Sequence, residues 1–226
     1  MLLLNVSLNN LWGYILGYSR IKIFSALLKP FSNSTRKRRM ALFVKLMKPM
    51  AAMKILDLGG QPAIWDFINT PLDITCLNLP SIATVAHTTH HQITYVEGDA
   101  CNMPYYAFGD FDLVFSNSVI EHVGCHEKRL QFANEVLRLS SKYWIQTPSK
   151  YYPIEAHCGM PLWWFYPQSL RSYFISKWKK KLPDWTEMVE TTTFVSSSEL
   201  QNIFPSSTIK HEWVLFPKSL IAYSSM

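Results

Sequence analysis

Short apolar runs, each halted by small or polar residues, recur along the chain. The first, Lys54-Ile55-Leu56-Asp57-Leu58 followed by Gly59-Gly60, reads as a buried strand feeding a tight turn, with Ala63-Ile64-Trp65-Asp66-Phe67 opening a helix behind it. Asp73 to Leu79 repeats the pattern, as do Ile93 to Glu97 before Gly98-Asp99-Ala100 and Phe111 to Phe115 before Ser116-Asn117-Ser118. A fifth run, Lys142 to Gln146, stops at Thr147-Pro148. Helical segments separate these runs, and that alternation predicts a doubly wound, mostly parallel α/β sheet with its ligand site at the strand carboxyl ends. Thr208 to Leu215 and Ser219 to Tyr223 are joined by only Phe216-Pro217-Lys218, which predicts an antiparallel hairpin. Ser196-Ser197-Ser198-Glu199 has the spacing of a capping box, read as closing the preceding helix. Lys179 to Thr193 reads as an exposed insertion.

A strand–glycine–helix junction brings backbone N–H groups up to a ligand, because glycine has no Cβ to block the approach. Asp57 then stands where it would meet a cationic or hydroxylated group; a tight turn with no ligand is the alternative. Asn78 lies 21 positions after Asp57, the spacing at which a polar side chain reaches ribose hydroxyls in a βαβ unit.

In this order the motifs resemble those of the class I S-adenosylmethionine-dependent methyltransferases, over roughly residues 50 to 225. The family's first motif, acid-x-Gly-x-Gly-x-Gly, stands here as Asp57-Leu58-Gly59-Gly60-Gln61-Pro62-Ala63, with Gln61 and Ala63 in the second and third glycine positions. Asn78 replaces the family's usual acid at the ribose, Asp99-Ala100 matches the adenine-reading pair, and Phe115 to Val123 resembles the fourth-strand segment with its Glu121-His122 pair. The resemblance implies a Rossmann-like sheet of seven strands closed by the reversed C-terminal strand. It implies S-adenosyl-L-methionine as cofactor, bound by Asp57, Gly59, Gly60, Gln61, Asn78, Leu79, Asp99, Ala100, Ser116 and Asn117. Methyl transfer from a sulfonium is an in-line displacement, so alignment of the reactants carries much of the catalysis.

At 226 residues and 48% hydrophobic the chain can bury a full α/β core. Residues 1–48 are read as an N-terminal segment and 49–226 as the methyltransferase domain. The apolar stretch Leu11 to Leu28 is interrupted by Arg20 and Lys22, which argues against a spanning helix, and the start lacks the basic leader of a secretory signal. The N-terminal segment is expected to form one or two helices that cap the sheet or the cleft. A membrane-surface helix is the alternative, because aromatic residues and the run Arg36-Lys37-Arg38-Arg39 occur together. Net charge is +6, concentrated in that run and in Lys177, Lys179, Lys180 and Lys181; no nucleic-acid-binding signature accompanies it. Cys76, Cys101, Cys125 and Cys158 show no metal or disulfide spacing, so no metal is expected and a reducing, cytoplasmic setting is the economical reading, with peripheral membrane contact open. His90-His91 reads as surface.

Acceptor chemistry is expected from the segment after the fifth strand, which in doubly wound sheets overhangs the cleft. Glu155 and His157 are candidates to take a proton from an acceptor hydroxyl, and a loop-packing role for His157 is the alternative. Trp163-Trp164-Phe165 reads as core or interface rather than a sugar platform. His122, opening a helix beside the fourth strand, is a third catalytic candidate. The resulting expectation is a methyltransferase acting at oxygen on a small-molecule, lipid-linked or saccharide acceptor. Its rivals are a non-catalytic cofactor-binding module of the same fold and an NAD-dependent oxidoreductase.

Overall fold

The computed structural model describes residues 33–80 and 89–224, and these fall into two compact units: a larger one from the described residues of Thr35–Tyr152 with 193–224, and a smaller one that contains Pro153–Thr192. The apolar stretch Leu11 to Leu28, with Arg20 and Lys22, lies outside the described residues. Among the described residues no helix is long and apolar enough to cross a membrane.

In the larger unit, helix α1 over residues 33–47 precedes β1 (Lys54–Leu58), β2 (Asp73–Asn78), β3 (Gln92–Glu97), β4 (Leu113–Asn117), α2 (His126–Leu139) and β5 (Tyr143–Pro148). The chain returns to this unit with a later helix, Ser197–Ile203, and strands β6 (Ser207–Val214) and β7 (Phe216–Ser224). The seven strands lie in the order β3-β2-β1-β4-β5-β7-β6. β1 to β5 are parallel, while β7 runs antiparallel to β5 and to β6. Successive strands leave β1 in opposite directions, so the crevice between β1 and β4 is the topological switch point where such sheets bind ligands.

Alternating side chains divide the core between the two faces of the sheet. On one face Leu56, Leu58, Val114, Ile145 and Leu220 pack with Phe132, Val136 and Leu139 of α2 and with Leu200 and Phe204. On the other, Ile55, Ile74, Cys76, Phe115, Trp144 and Ile221 meet Met40, Phe43 and Met47 of α1. Phe43 is the centre of this second cluster, edge-on to Trp65, Phe115 and Trp144 at centroid distances of 5.8, 5.5 and 5.4 Å for Trp65, Trp144 and Phe115 respectively. Such edge-to-face pairs each add roughly 0.5–1.5 kcal/mol to the burial of the rings.

Several expectations are corrected. The helix expected at 63–67 is a six-residue 3-10 turn, Pro62–Phe67, with Pro62 in its first turn. His91 is buried rather than on the surface: Nδ1 accepts from Leu72 N–H at 3.2 Å, which leaves Nε2–H to donate to the Trp65 carbonyl at 2.9 Å. Burial holds this imidazole below its ordinary pKa. The Ser196 hydroxyl accepts from Glu199 N–H at 3.1 Å and so caps the helix that follows, not the one before. The hairpin link is shorter than expected, since Leu215 alone separates β6 from β7.

In the smaller unit a 3-10 turn at Trp163–Phe165 leads to α3 (Gln168–Lys179) and α4 (Pro183–Thr191). Trp178 joins them, with its ring 5.5 Å from Trp163, 5.6 Å from Phe174 and 5.3 Å from Trp185. The segment read as an exposed insertion is therefore largely helix α4, with Thr186 and Val189 buried.

Candidate functional site

The parallel strands bring Leu58, Asn78, Glu97 and Asn117 to one edge of the sheet, and the turn after β1 is the tightest point there. Gly59 adopts φ +68°, a left-handed conformation, and a Cβ on it would lie 2.4 Å from Val119 Cγ2. Its N–H donates to the Leu77 carbonyl at 2.8 Å. A Cβ on Gly60 would lie 2.4 Å from Asp57 Oδ2, so the turn folds directly over that carboxyl. Gln61 sits at φ −116° and Ala63 within the 3-10 turn, conformations that any residue adopts; neither position requires the glycine of the family motif.

Asp57 is fully buried beneath this turn, and Oδ2 accepts from Trp65 Nε1–H at 2.8 Å. Burial pushes its pKa up to about 7, with the Trp65 bond opposing only part of the effect. Asn78, also buried, donates from Nδ2 to the Gly60 carbonyl at 3.1 Å and so ties the end of β2 to the turn. Its own carbonyl accepts from Gly98 N–H at 2.9 Å, linking β2 to the end of β3. Leu79 is half exposed. Asp99 is exposed; Oδ1 accepts from Cys101 N–H at 2.8 Å, fixing the carboxylate at the start of a turn, and Ala100 is buried behind it. Across the switch point Ser116 stands in register with Leu58 and is buried. These residues form one continuous neighbourhood.

Asn117 belongs to a network that sequence reasoning did not anticipate. Arg39 of α1 is buried, and it donates to Asn117 Oδ1 at 2.6 Å, to Gln146 Oε1 at 3.0 Å and to Glu212 Oε2 at 2.6 and 3.1 Å. Ser219 Oγ also donates to Glu212. The last residue of the basic run is thus paired inside the fold, while Arg36, Lys37 and Arg38 are exposed. Ser118, which follows Asn117, is held at φ +62° by Gln146, whose carbonyl accepts from Ser118 N–H and whose Oε1 accepts from the hydroxyl. A non-glycine residue held in this region marks stored strain of the kind that clusters at ligand sites.

Glu121 and His122 lie in a 3-10 turn, Ile120–His122, rather than at the start of a helix; α2 begins only at His126. Glu121 is buried, and Oε2 accepts from the Thr147 hydroxyl at 3.0 Å. In the smaller unit Glu155 Oε1 accepts from His157 Nδ1 at 2.7 Å. Its Oε2 accepts from the backbone N–H of His157 at 2.6 Å and of Cys158 at 2.9 Å. Burial alone would raise the Glu155 pKa, but His157 and these donors together hold it below the usual carboxylate value. The same unit has a cavity of about 320 Å³ whose lining includes Trp163, Trp164, Arg171, Lys179 and Glu190.

Residues 67–143, from the turn after β1 through the start of β5, match the methyltransferase-domain family. The matched segment is a methyltransferase domain, and its motifs resemble those of the class I S-adenosylmethionine-dependent methyltransferases. Similar solved structures have the same fold at low identity. A methyltransferase from an antibiotic biosynthesis pathway of Anabaena variabilis is 18% identical with TM-score 0.50, the match covering 77% of this chain and 64% of that one. The Haemonchus contortus phosphoethanolamine N-methyltransferase 2, bound to phosphomonomethylethanolamine and S-adenosylhomocysteine, is 15% identical with TM-score 0.50, over 77% and 38% of the two chains. A Rhodobacter sphaeroides protein described as a zinc-dependent alcohol dehydrogenase is 12% identical with TM-score 0.53, over 78% and 86%. No curated protein sequence matches the methyltransferase. The methyltransferase-domain match supports S-adenosylmethionine as the cofactor.

Proposed function

We propose that this methyltransferase transfers the methyl group to oxygen on a small-molecule, lipid-linked or saccharide acceptor. The observation that carries the reading is the Glu155–His157 pair. A buried carboxylate that accepts from His157 Nδ1 fixes the imidazole tautomer and stabilises its protonated form, which is how a general base for a hydroxyl is prepared. His122 is the alternative base. The cavity lined by Trp163, Trp164 and Arg171 supports an acceptor with a ring and an anionic or hydroxylated substituent, because aromatic faces and a guanidinium suit both.

On the cofactor side, the residues present have the chemistry the ligand needs. The Gly59-Gly60-Gln61 turn would accommodate the methionyl part, Asn78 with Leu79 the ribose, and Asp99 with Ala100 the adenine. Ser116 and Asn117 would form the floor. Asp57 supports the turn from below, and its ionisation would be favoured by a cationic ligand above. When bound, S-adenosylmethionine supplies an electrophilic methyl group on a sulfonium. The protein's part is to hold the reactants in line and remove the acceptor proton.

Calorimetry tests the cofactor half: S-adenosylhomocysteine should bind and NAD should not. Binding of NAD alone would support the oxidoreductase reading. The acceptor half is tested by His157→Ala, which should keep S-adenosylhomocysteine affinity while turnover falls by ~10²–10⁴, the contribution of a positioned base. Normal turnover would remove His157 from the chemistry.

A further inference from the structure

The β6–β7 hairpin ends in four consecutive apolar residues, Trp213-Val214-Leu215-Phe216, at a place where folding gives no reason for them. Trp213 is 60% exposed, Leu215 93% and Phe216 52%. Leu215 is the single connecting residue and takes φ +61°, a conformation suited to glycine or asparagine. A strained leucine exposed to water serves neither the turn nor the core.

The hairpin is also placed and charged for one kind of partner. Ser219 of β7 pairs with Pro148, the last residue of β5, so the tip projects roughly 10 Å beyond the carboxyl edge of the sheet. Lys218 lies beside the tip, and its ammonium donates to Thr35 Oγ1 at 2.6 Å, which fixes the first turns of α1 next to the hairpin. Arg36, Lys37 and Arg38 on those turns are exposed. The acid of the hairpin, Glu212, is already neutralised by Arg39. An exposed tryptophan, leucine and phenylalanine bordered by the exposed Arg36, Lys37 and Arg38 match the interfacial zone of an anionic bilayer, where aromatic rings sit at headgroup level and basic side chains meet lipid phosphates.

We infer that the hairpin tip, Trp213 to Phe216, inserts into anionic membrane surfaces while Arg36, Lys37 and Arg38 hold the headgroups. Docked this way, the carboxyl edge of the sheet faces the bilayer, where a lipid-linked acceptor would be presented. The docking itself does not depend on the catalytic reading, because vesicle binding is measured without cofactor or acceptor.

The experiment is sedimentation of the full-length protein with phosphatidylcholine vesicles, with and without phosphatidylglycerol. Binding should require the anionic lipid and weaken as salt is raised. Leu215→Asn suits the local backbone and keeps the fold, and together with Trp213→Ser and Phe216→Ser it should lower vesicle affinity at least tenfold. Arg36→Gln, Lys37→Gln and Arg38→Gln combined should remove the salt dependence. Three outcomes would overturn the inference: no binding to anionic vesicles at low salt, unchanged binding by the tip variant, or self-association of the intact protein that the tip variant abolishes. Unchanged binding by the tip variant would assign membrane affinity to another segment of the chain. S-adenosylhomocysteine binding by the tip variant should match wild type, so a failure here and a failure of the cofactor reading are told apart.

Discussion

Asp57 and Glu155 are both buried carboxyls, one under the turn after β1 and the other in the helical unit, and their surroundings act on them in opposite directions. Glu155 has three donors aimed at it, the imidazole of His157 and two backbone N–H groups, and they more than offset its desolvation. Asp57 accepts from Trp65 Nε1 and is packed under Gly60, and desolvation wins. Burial at similar depth therefore decides little; the donors supplied to the charge decide its protonation. A carboxyl satisfied like Glu155 stabilises the fold. One left like Asp57 costs stability in its charged form, and that is a recurring property of ligand sites, where a group is held for a partner not yet present.

The largest expected effect is that of Glu155→Ala. It leaves His157 Nδ1 and two backbone N–H groups without their acceptor, and orphaning donors of a buried, charge-assisted cluster costs about 3 kcal/mol. Urea unfolding at neutral pH should show a loss of that order, with Glu155→Gln losing less because its amide oxygen still accepts. Because the folded pKa of Glu155 is depressed, its stabilisation is fully present above the ordinary glutamate pKa and is lost as the pH falls through the folded value. A Glu155→Ala protein as stable as wild type would mean that solvent already satisfies these donors.

The same contrast separates what could be read from the chain and what could not. Strand ends were legible because each apolar run stops at polar residues, and this placed Asp57, Asn78, Asp99 and Ser116 on one edge of the sheet. The strand pattern and the family resemblance also anticipated the reversed C-terminal hairpin. Arg39 was not legible: it ends a run of four cations, which reads as a solvated face, and its partner Glu212 is 173 positions away. The register of the hairpin against β5, with Ser219 opposite Pro148, brings that pair together, and no local pattern encodes it. Trp65 looked like an ordinary helix residue because its indole N–H finds Asp57 only when Pro62 shortens the expected helix to a 3-10 turn. His91 was misjudged for a similar reason, since its partners lie 19 and 26 positions away: Leu72 N–H in the loop before β2 and the Trp65 carbonyl in the 3-10 turn. Polar side chains whose partners come from distant elements are the ones that pattern reasoning assigns to solvent.

A smaller effect of opposite sign is expected for Asp57→Asn, and it sharpens the comparison most. The amide keeps an acceptor for Trp65 Nε1 and never ionises. The folded pKa of Asp57, about 7, lies above the unfolded value near 3.9, so the native state binds more protons between them and wild-type stability declines as pH rises through that window. Well below the unfolded pKa, at about pH 2.5, the carboxyl is neutral in both states, and the variant and wild type should unfold at similar urea concentrations. Above pH 7 the wild type bears the cost of a desolvated charge and the variant does not, so Asp57→Asn should be more stable by about 1–2 kcal/mol after solvent relaxation around the site. S-adenosylhomocysteine affinity should move the other way, because the variant has no carboxylate to favour the ligand's α-ammonium group. Stability gained while cofactor affinity falls is the signature of a site held against its own fold. If Asp57→Asn is instead destabilised at pH 8, the carboxylate is satisfied in the folded protein and belongs with Glu155 as a structural anchor.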